Sequence, residues 1–199
     1  MPPIHPLPIP RPAQTARRKD KIAKGKEYIW LDFHFVGSDS DLIAGRSNAL
    51  WWQHILSIGE YDLKSVKSMV EKIREVCDKR ATDKRRPKIY DLTIDAHGNK
   101  FMIDWGKDQV TGKSVGKFKE DLKKINEYFD PAISEVRIVS CETGNALSLL
   151  GKLSEIGNNT PVIGFTQSQA PTVGTPKGTG PQTRCVGRQC KIIAEAAAN

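Results

Sequence analysis

Apolar and polar residues alternate along residues 27–36 (EYIWLDFHFV). Ile29, Leu31, Phe33 and Phe35 fall on one side, and Tyr28, Trp30, Asp32 and His34 on the other. A period of two marks a strand with unlike faces. Apolar runs at 89–96 (IYDLTIDA), 135–140 (EVRIVS) and 161–165 (PVIGF) read as further strands, and 100–105 (KFMIDW) as one arm of a short hairpin that ends at Gly106. Between these runs the spacing changes to three and four. Leu63, Val66, Val70, Ile73 and Cys77 predict a helix over 62–79 with Asp62 as its N-cap. Phe118, Leu122, Ile125 and Phe129 predict a second over 117–129, and Leu149, Leu150, Leu153 and Ile156 a third over 145–156 with Gly157 at C′. Strands that alternate with helices imply an α/β fold, a mostly parallel sheet covered on both faces in three layers.

The pattern fades at both ends. Residues 1–26 carry prolines at 2, 3, 6, 8, 10 and 12, which fix φ and remove donors, and then a basic run; they read as an extended, disordered leader. Residues 37–41 read as an acidic loop, 79–88 as a basic loop, and 167–184, rich in Gly, Pro, Thr, Gln and Ser, as a long loop. The expected organisation is a leader at 1–26, one α/β domain at 27–166 and a loop-rich extension at 167–199.

Charge changes the picture little. The chain has 199 residues and a net charge of +8, but the leader sets seven Lys and Arg against Asp20 alone, so +6 of that charge resides there. The folded part is close to neutral, which argues against nucleic acid as its partner. The leader is instead a candidate docking segment for a partner or inhibitor. No apolar run approaches the roughly 18 residues of a membrane span. The start of the chain, Met1-Pro2-Pro3-Ile4-His5-Pro6, lacks the apolar core of a signal peptide. A cytoplasmic protein, or one exported without a cleavable signal, is expected.

Candidate chemistry lies in two strings. Ala96-His97-Gly98-Asn99 follows the strand at 89–96, and Ser140-Cys141-Glu142-Thr143-Gly144 follows the strand at 135–140. Sites of parallel sheets gather at the carboxyl ends of strands. A thiol beside an imidazole is the minimum for covalent catalysis: His97 acts as base toward the Cys141 thiol and then as acid toward a leaving amine. Cys141 also precedes a helix, whose N-terminus would favour a thiolate. Gly98 and the Cys141 amide are candidate oxyanion donors. Asp95, two residues before His97, is a candidate to orient the imidazole, or else a solvated charge at the strand end.

Of the other cysteines, Cys77 sits on the apolar stripe of its helix and reads as core. Cys185 and Cys190 can close a small disulfide loop in an oxidising compartment. They lack the second ligand pair of a zinc site, so no metal is expected, and no cofactor motif is present. His34 reads as structural. Trp51 and Trp52, beside Gln53 and His54, read as a cap on the core, with a substrate platform as the alternative.

The two strings resemble those of the caspase-like cysteine peptidases, the group of caspases, metacaspases, gingipains, clostripain and the self-cleaving domains of large bacterial toxins. In that group a His-Gly ends one strand, and the next core strand ends in a Cys soon followed by Gly. Here these are Asp95-Ala96-His97-Gly98 and Ser140-Cys141-Glu142-Thr143-Gly144, and the resemblance covers about residues 27–166. It implies a caspase-like three-layer sandwich, a His97–Cys141 dyad, and an oxyanion held by the Gly98 and Cys141 amides. Papain-like enzymes place Cys before His, the reverse of the order here. An endopeptidase working through a thioester on a polypeptide substrate, of the kind found in bacterial effectors, is therefore expected. Acidic Asp39 and Asp41 are candidates for a pocket that prefers Lys or Arg, as in clostripain-like relatives. Arg17-Arg18-Lys19 and Lys84-Arg85-Arg86 would then be self-cleavage sites. Two rival readings are a non-catalytic α/β interaction module that binds through its leader, and a thiol hydrolase acting on a non-protein amide. The sequence leaves the oligomeric state open.

Overall fold

In the computed structural model, residues 28–37, 59–167 and 181–193 are described. They form an α/β fold around a seven-stranded mixed sheet. Strand β1 (Tyr28–Val36) lies between β2 (Gly59–Asp62) and β3 (Arg86–Asp95), all parallel. A small antiparallel hairpin of β4 (Met102–Trp105) and β5 (Asp108–Thr111) stands outside the main sheet. The sheet continues from β3 to β6 (Glu135–Val139) and β7 (Val162–Phe165), again parallel. It closes with antiparallel β8 (Gln182–Val186) and β9 (Gln189–Ile193).

Helix α1 (Val66–Arg80) joins β2 to β3, α2 (Lys119–Lys123) precedes β6, and α3 (Leu147–Ile156) joins β6 to β7. Met69 of α1 and Leu153 and Ile156 of α3 meet Leu92 and Ile94 of β3, Val136 of β6 and Val162 of β7 around one small apolar cavity. These helices therefore cover the same face of the sheet. Phe33, Phe35, Ile89, Ile94 and Ile138 belong to the same core, as do Ile103, Trp105 and Val110 of the β4–β5 hairpin. Burial of this stripe, more than helix propensity, holds the short helices in place.

Local chemistry moves several boundaries. The N-cap of α1 is Ser65, whose hydroxyl accepts from the Ser68 N–H at 3.0 Å, while Asp62, expected in that role, ends β2. Asp108 of β5 takes the next free donor, the Val66 N–H, at 2.9 Å. The helix expected over 117–129 is broken: 3₁₀ turns at Val115–Phe118 and Asn126–Tyr128 flank the five residues of α2. The Asn126 side chain donates to the Ile156 carbonyl at 2.7 Å and so ties the second 3₁₀ turn to the end of α3. Gly157 ends α3 with φ −79°, so it is not a left-handed C′ residue; Asn158 and Asn159 take that conformation instead, at φ 60° and 62°. The loop expected over 167–184 gives way to strand from Gln182, so part of the loop-rich extension is a β-hairpin. Cys185 and Cys190 face each other across that hairpin and form a disulfide, with Cα atoms 4.0 Å apart.

The opposite face of the sheet carries charge. In-register neighbours place Asp32 beside Asp91, Asp91 beside Glu135, and Thr93 beside Arg137. His34, Asp91, Glu135 and Arg137 are all buried. Arg137 donates to Glu135 at 3.0 Å and stands 3.9 Å from Asp91, and Arg184 of β8 lies 4.0 Å from Glu135. Charges taken out of water need such partners, or the fold pays several kcal/mol for each.

Candidate active site

The β3–β6 pairing positions the two candidate chemical groups. Its last in-register pair is Asp95 with Val139, and the Ala96 N–H still donates to the Val139 carbonyl at 3.2 Å. His97 and Cys141 each come two residues later, at the carboxyl edge of adjacent parallel strands whose backbones run about 4.8 Å apart. His97 is exposed and Cys141 half-buried. Both conditions suit a site that must admit substrate.

After His97 the chain turns into the β4–β5 hairpin. The Asp104 N–H donates to the His97 carbonyl at 2.8 Å and the Asn99 N–H to the Met102 carbonyl at 2.9 Å. Gly98 sits between these bonds, opposite Ile103. That is the non-hydrogen-bonded position of an antiparallel pair, so the Gly98 N–H points away from the hairpin and is available as a donor. Only glycine fits there. A Cβ on Gly98 would lie 2.4 Å from Ser140 Oγ and 2.6 Å from the Met102 carbonyl oxygen.

After Cys141 the chain makes a tight turn. Glu142 has φ 53°, in the left-handed region, and residues Thr143–Asn145 form a 3₁₀ turn. Thr143 Oγ1 donates to the Ser140 carbonyl at 3.1 Å, and the Glu142 N–H donates to the Gln167 carbonyl at 3.1 Å. Gly144 lies flat on β7, where a Cβ would come within 2.7 Å of the Phe165 carbonyl carbon. Helix α3 starts only at Leu147. The expected support of a thiolate by that helix's N-terminus therefore fails, because the helix field fades within its first turn.

Asp95 does not stand alone as an orienting group for His97. Its carboxylate lies 4.0 Å from Nε2 of buried His34, on the neighbouring strand. The residue across the ribbon from His97 is Asp104, whose backbone N–H holds the His97 carbonyl. Periodicity gave no sign of it, since the pairing depends on a turn register that forms only on folding. Ser140 was missed as well. It is buried, and its hydroxyl, which lies against Gly98, has no hydrogen-bond partner among the described residues.

Cys77 is fully buried, and burial, followed by the negative charges of Asp78 and Glu127, pushes its thiol up to about 12. It is core, not chemistry. Asp39, Asp41, Trp51, Trp52, Gln53, His54 and the leader lie outside the described residues. Among the described residues no cluster of His, Cys, Asp and Glu suits a metal ion, and no helix is long and apolar enough to cross a membrane. No protein-family model matches the chain, and no curated protein matches it.

Proposed function

We propose that this protein is a caspase-like cysteine endopeptidase on an α/β fold. The observation that carries the reading is the adjacency of β3 and β6, with His97 and Cys141 the same two residues past their last pair. Three details add support: a donor-ready glycine amide beside His97, a tight left-handed turn after Cys141, and both loops opening at the carboxyl edge.

In the proposed reaction His97 removes the Cys141 proton, and the thiolate attacks the scissile carbonyl carbon. The carbonyl π electrons move to oxygen, where the Gly98 and Cys141 amides receive the negative charge. Collapse breaks the C–N bond, and the amine leaves with the proton from His97. Water then attacks the thioester with His97 again as base, releasing acid and thiol.

Self-cleavage at Lys84-Arg85-Arg86 is not part of this proposal. Thr82 and Arg85 close a tight turn, with N–H to carbonyl bonds of 3.0 and 3.2 Å in the two directions. A protease needs an extended substrate. The turn also lies at the amino end of the ten-residue strand β3, and at about 3.3 Å per residue the far end is roughly 30 Å away. Arg17-Arg18-Lys19, outside the described residues, remains the candidate.

The test is incubation of wild type, Cys141→Ala and His97→Ala with an unfolded protein substrate, followed by mass spectrometry of the fragments. Cleavage by wild type alone supports the reading; the same fragments from Cys141→Ala refute it.

A further inference from the structure

We propose that the apolar cavity between the helices and the sheet binds a small uncharged amphipathic molecule, an aliphatic body of a few carbons bearing one hydroxyl or amide group. Met69 of α1, Leu92 of β3 and Phe129 line the cavity with hydrocarbon. Two lining residues bring more than hydrocarbon. Trp105, at the end of β4, carries an indole N–H, and Asn126, in the second 3₁₀ turn, carries a side-chain amide. Trp105 is only 2% exposed. Its Nε1 and the Asn126 Oδ1 are both buried, and neither has a hydrogen-bond partner among the described residues. The Asn126 amide nitrogen already donates to the Ile156 carbonyl at 2.7 Å, which fixes the orientation of the group and leaves its oxygen over. One donor and one acceptor therefore stand unmatched on residues of a single cavity, and a buried polar atom without a partner destabilises the fold.

Size decides between occupants. The cavity measures about 40 Å³. A buried water needs roughly 10–15 Å³ and roughly 2–4 polar partners, so the space holds about three waters and offers partners for one. Carbon faces the rest of the volume and favours an occupant that is itself carbon. A hydroxyl can accept from the indole N–H and donate to the amide oxygen, and a primary amide has the same two capacities. The attached carbons fill the apolar remainder. Among the described residues no ionisable side chain lines the cavity, so a charged ligand would lose its hydration with nothing in return. Asn126, Ile156 and Gly157 are half-buried and mark the side on which the cavity meets solvent. Neither His97 nor Cys141 lines it, and the site stands independently of the peptidase reading.

The test uses the full ¹⁵N-labelled chain and follows the indole N–H resonance of Trp105, assigned by its disappearance in Trp105→Phe. The probes are isopropanol, acetamide and acetate, the last a charged isostere of acetamide. Isopropanol and acetamide are expected to shift the Trp105 resonance saturably at millimolar concentration, as ligands of a few atoms do, and acetate to leave it in place. Asn126→Leu removes the acceptor and is expected to weaken both probes by about tenfold. Val162→Ile narrows the cavity from the β7 side, leaves the bond from Asn126 to Ile156 intact and is expected to weaken them as much. It keeps the proposal testable if the Asn126 variant folds poorly. Shifts that stay linear in probe concentration, an equal response to acetate, or affinities unchanged in both variants overturn the proposal. A crystal structure with water alone in the cavity at saturating isopropanol does the same.

Discussion

Gly98 and Ser140 are a matched pair in which one residue's lack of a side chain makes room for the other's hydroxyl. A methyl at position 98 would sit 2.4 Å from Ser140 Oγ and 2.6 Å from a backbone oxygen that cannot swing aside. Gly98→Ala is expected to destabilise the protein by about 1–3 kcal/mol and to reduce any cleavage activity, as read by denaturant unfolding and fragment yield. Ser140→Ala goes the other way. It removes a buried hydroxyl that has no partner among the described residues, and is expected to raise stability by about 1 kcal/mol. A loss of stability would show that the hydroxyl is bonded to something in solution. Cys77 provides a pH test. Its thiol ionises near 9 in the unfolded chain and is pushed up to about 12 in the fold by burial. The unfolded state therefore releases its proton first, and stability falls as pH rises from about 9 toward 12. Cys77→Ala should flatten that limb of the stability profile; an unchanged limb would assign it to Tyr128, whose hydroxyl is also pushed up to about 12 by burial and its bond to Asp78. At this scale the strand ends that carry the candidate pair were legible, because His97 and Cys141 each follow an apolar run that the structure makes a strand. Asp104, Ser140 and Glu142 were not, since a cross-strand neighbour, a buried hydroxyl and a left-handed φ exist only in three dimensions.

Among the elements, the loop after Cys141 is governed by what it leans on. Gly144 packs on the backbone of β7, and Gly164 of β7 returns the contact: a Cβ there would lie 2.9 Å from the Gly144 nitrogen. The β7 exit is tied in turn to β8, since the Thr166 N–H donates to the Pro181 carbonyl at 3.0 Å. The turn of the β8–β9 hairpin docks on α3, with the Gly187 N–H on Ser154 Oγ at 2.8 Å and Arg188 on Glu155 at 2.7 Å. The Cys185–Cys190 bridge spans five positions, and a loop of that length is worth about 2 kcal/mol. Reduction, or a Cys185→Ser/Cys190→Ser double variant, is expected to lower stability by that amount with the fold retained. No change in Tm on reduction would mean that the bridge does not form in solution. The long strands and α1 could be read from their periods. The hairpin β8–β9 could not, because its five-residue strands sit beside a Gly- and Pro-rich run that masks them. Nor could the break in the helix over 117–129, because Phe118, Leu122, Ile125 and Phe129 keep helical spacing while Asn126 takes a tertiary hydrogen bond.

At the level of the whole molecule, sheet order decides what can react with what. Had β6 paired elsewhere, His97 and Cys141 would be strangers. Residues 97 and 141, 44 positions apart, leave the carboxyl ends of adjacent strands because β3 and β6 pair in parallel, as the alternation of strands and helices foretold. The charged face of the sheet was less legible. The alternation in β1 suggested an outer, polar side, yet His34 is buried there beside Asp95. The same geometry bears on self-processing. Incubated wild type is expected to yield new N-termini after Arg17, Arg18 or Lys19 and none at 84–86, as read by N-terminal sequencing. The central claim, that His97 and Cys141 work as a unit, is tested most directly by alkylation. With iodoacetamide near neutral pH, Cys141 is expected to react at least about tenfold faster than Cys77, and His97→Ala to cut that rate by about tenfold. Equal labelling of the two thiols, or a Cys141 rate indifferent to His97→Ala, would contradict the account.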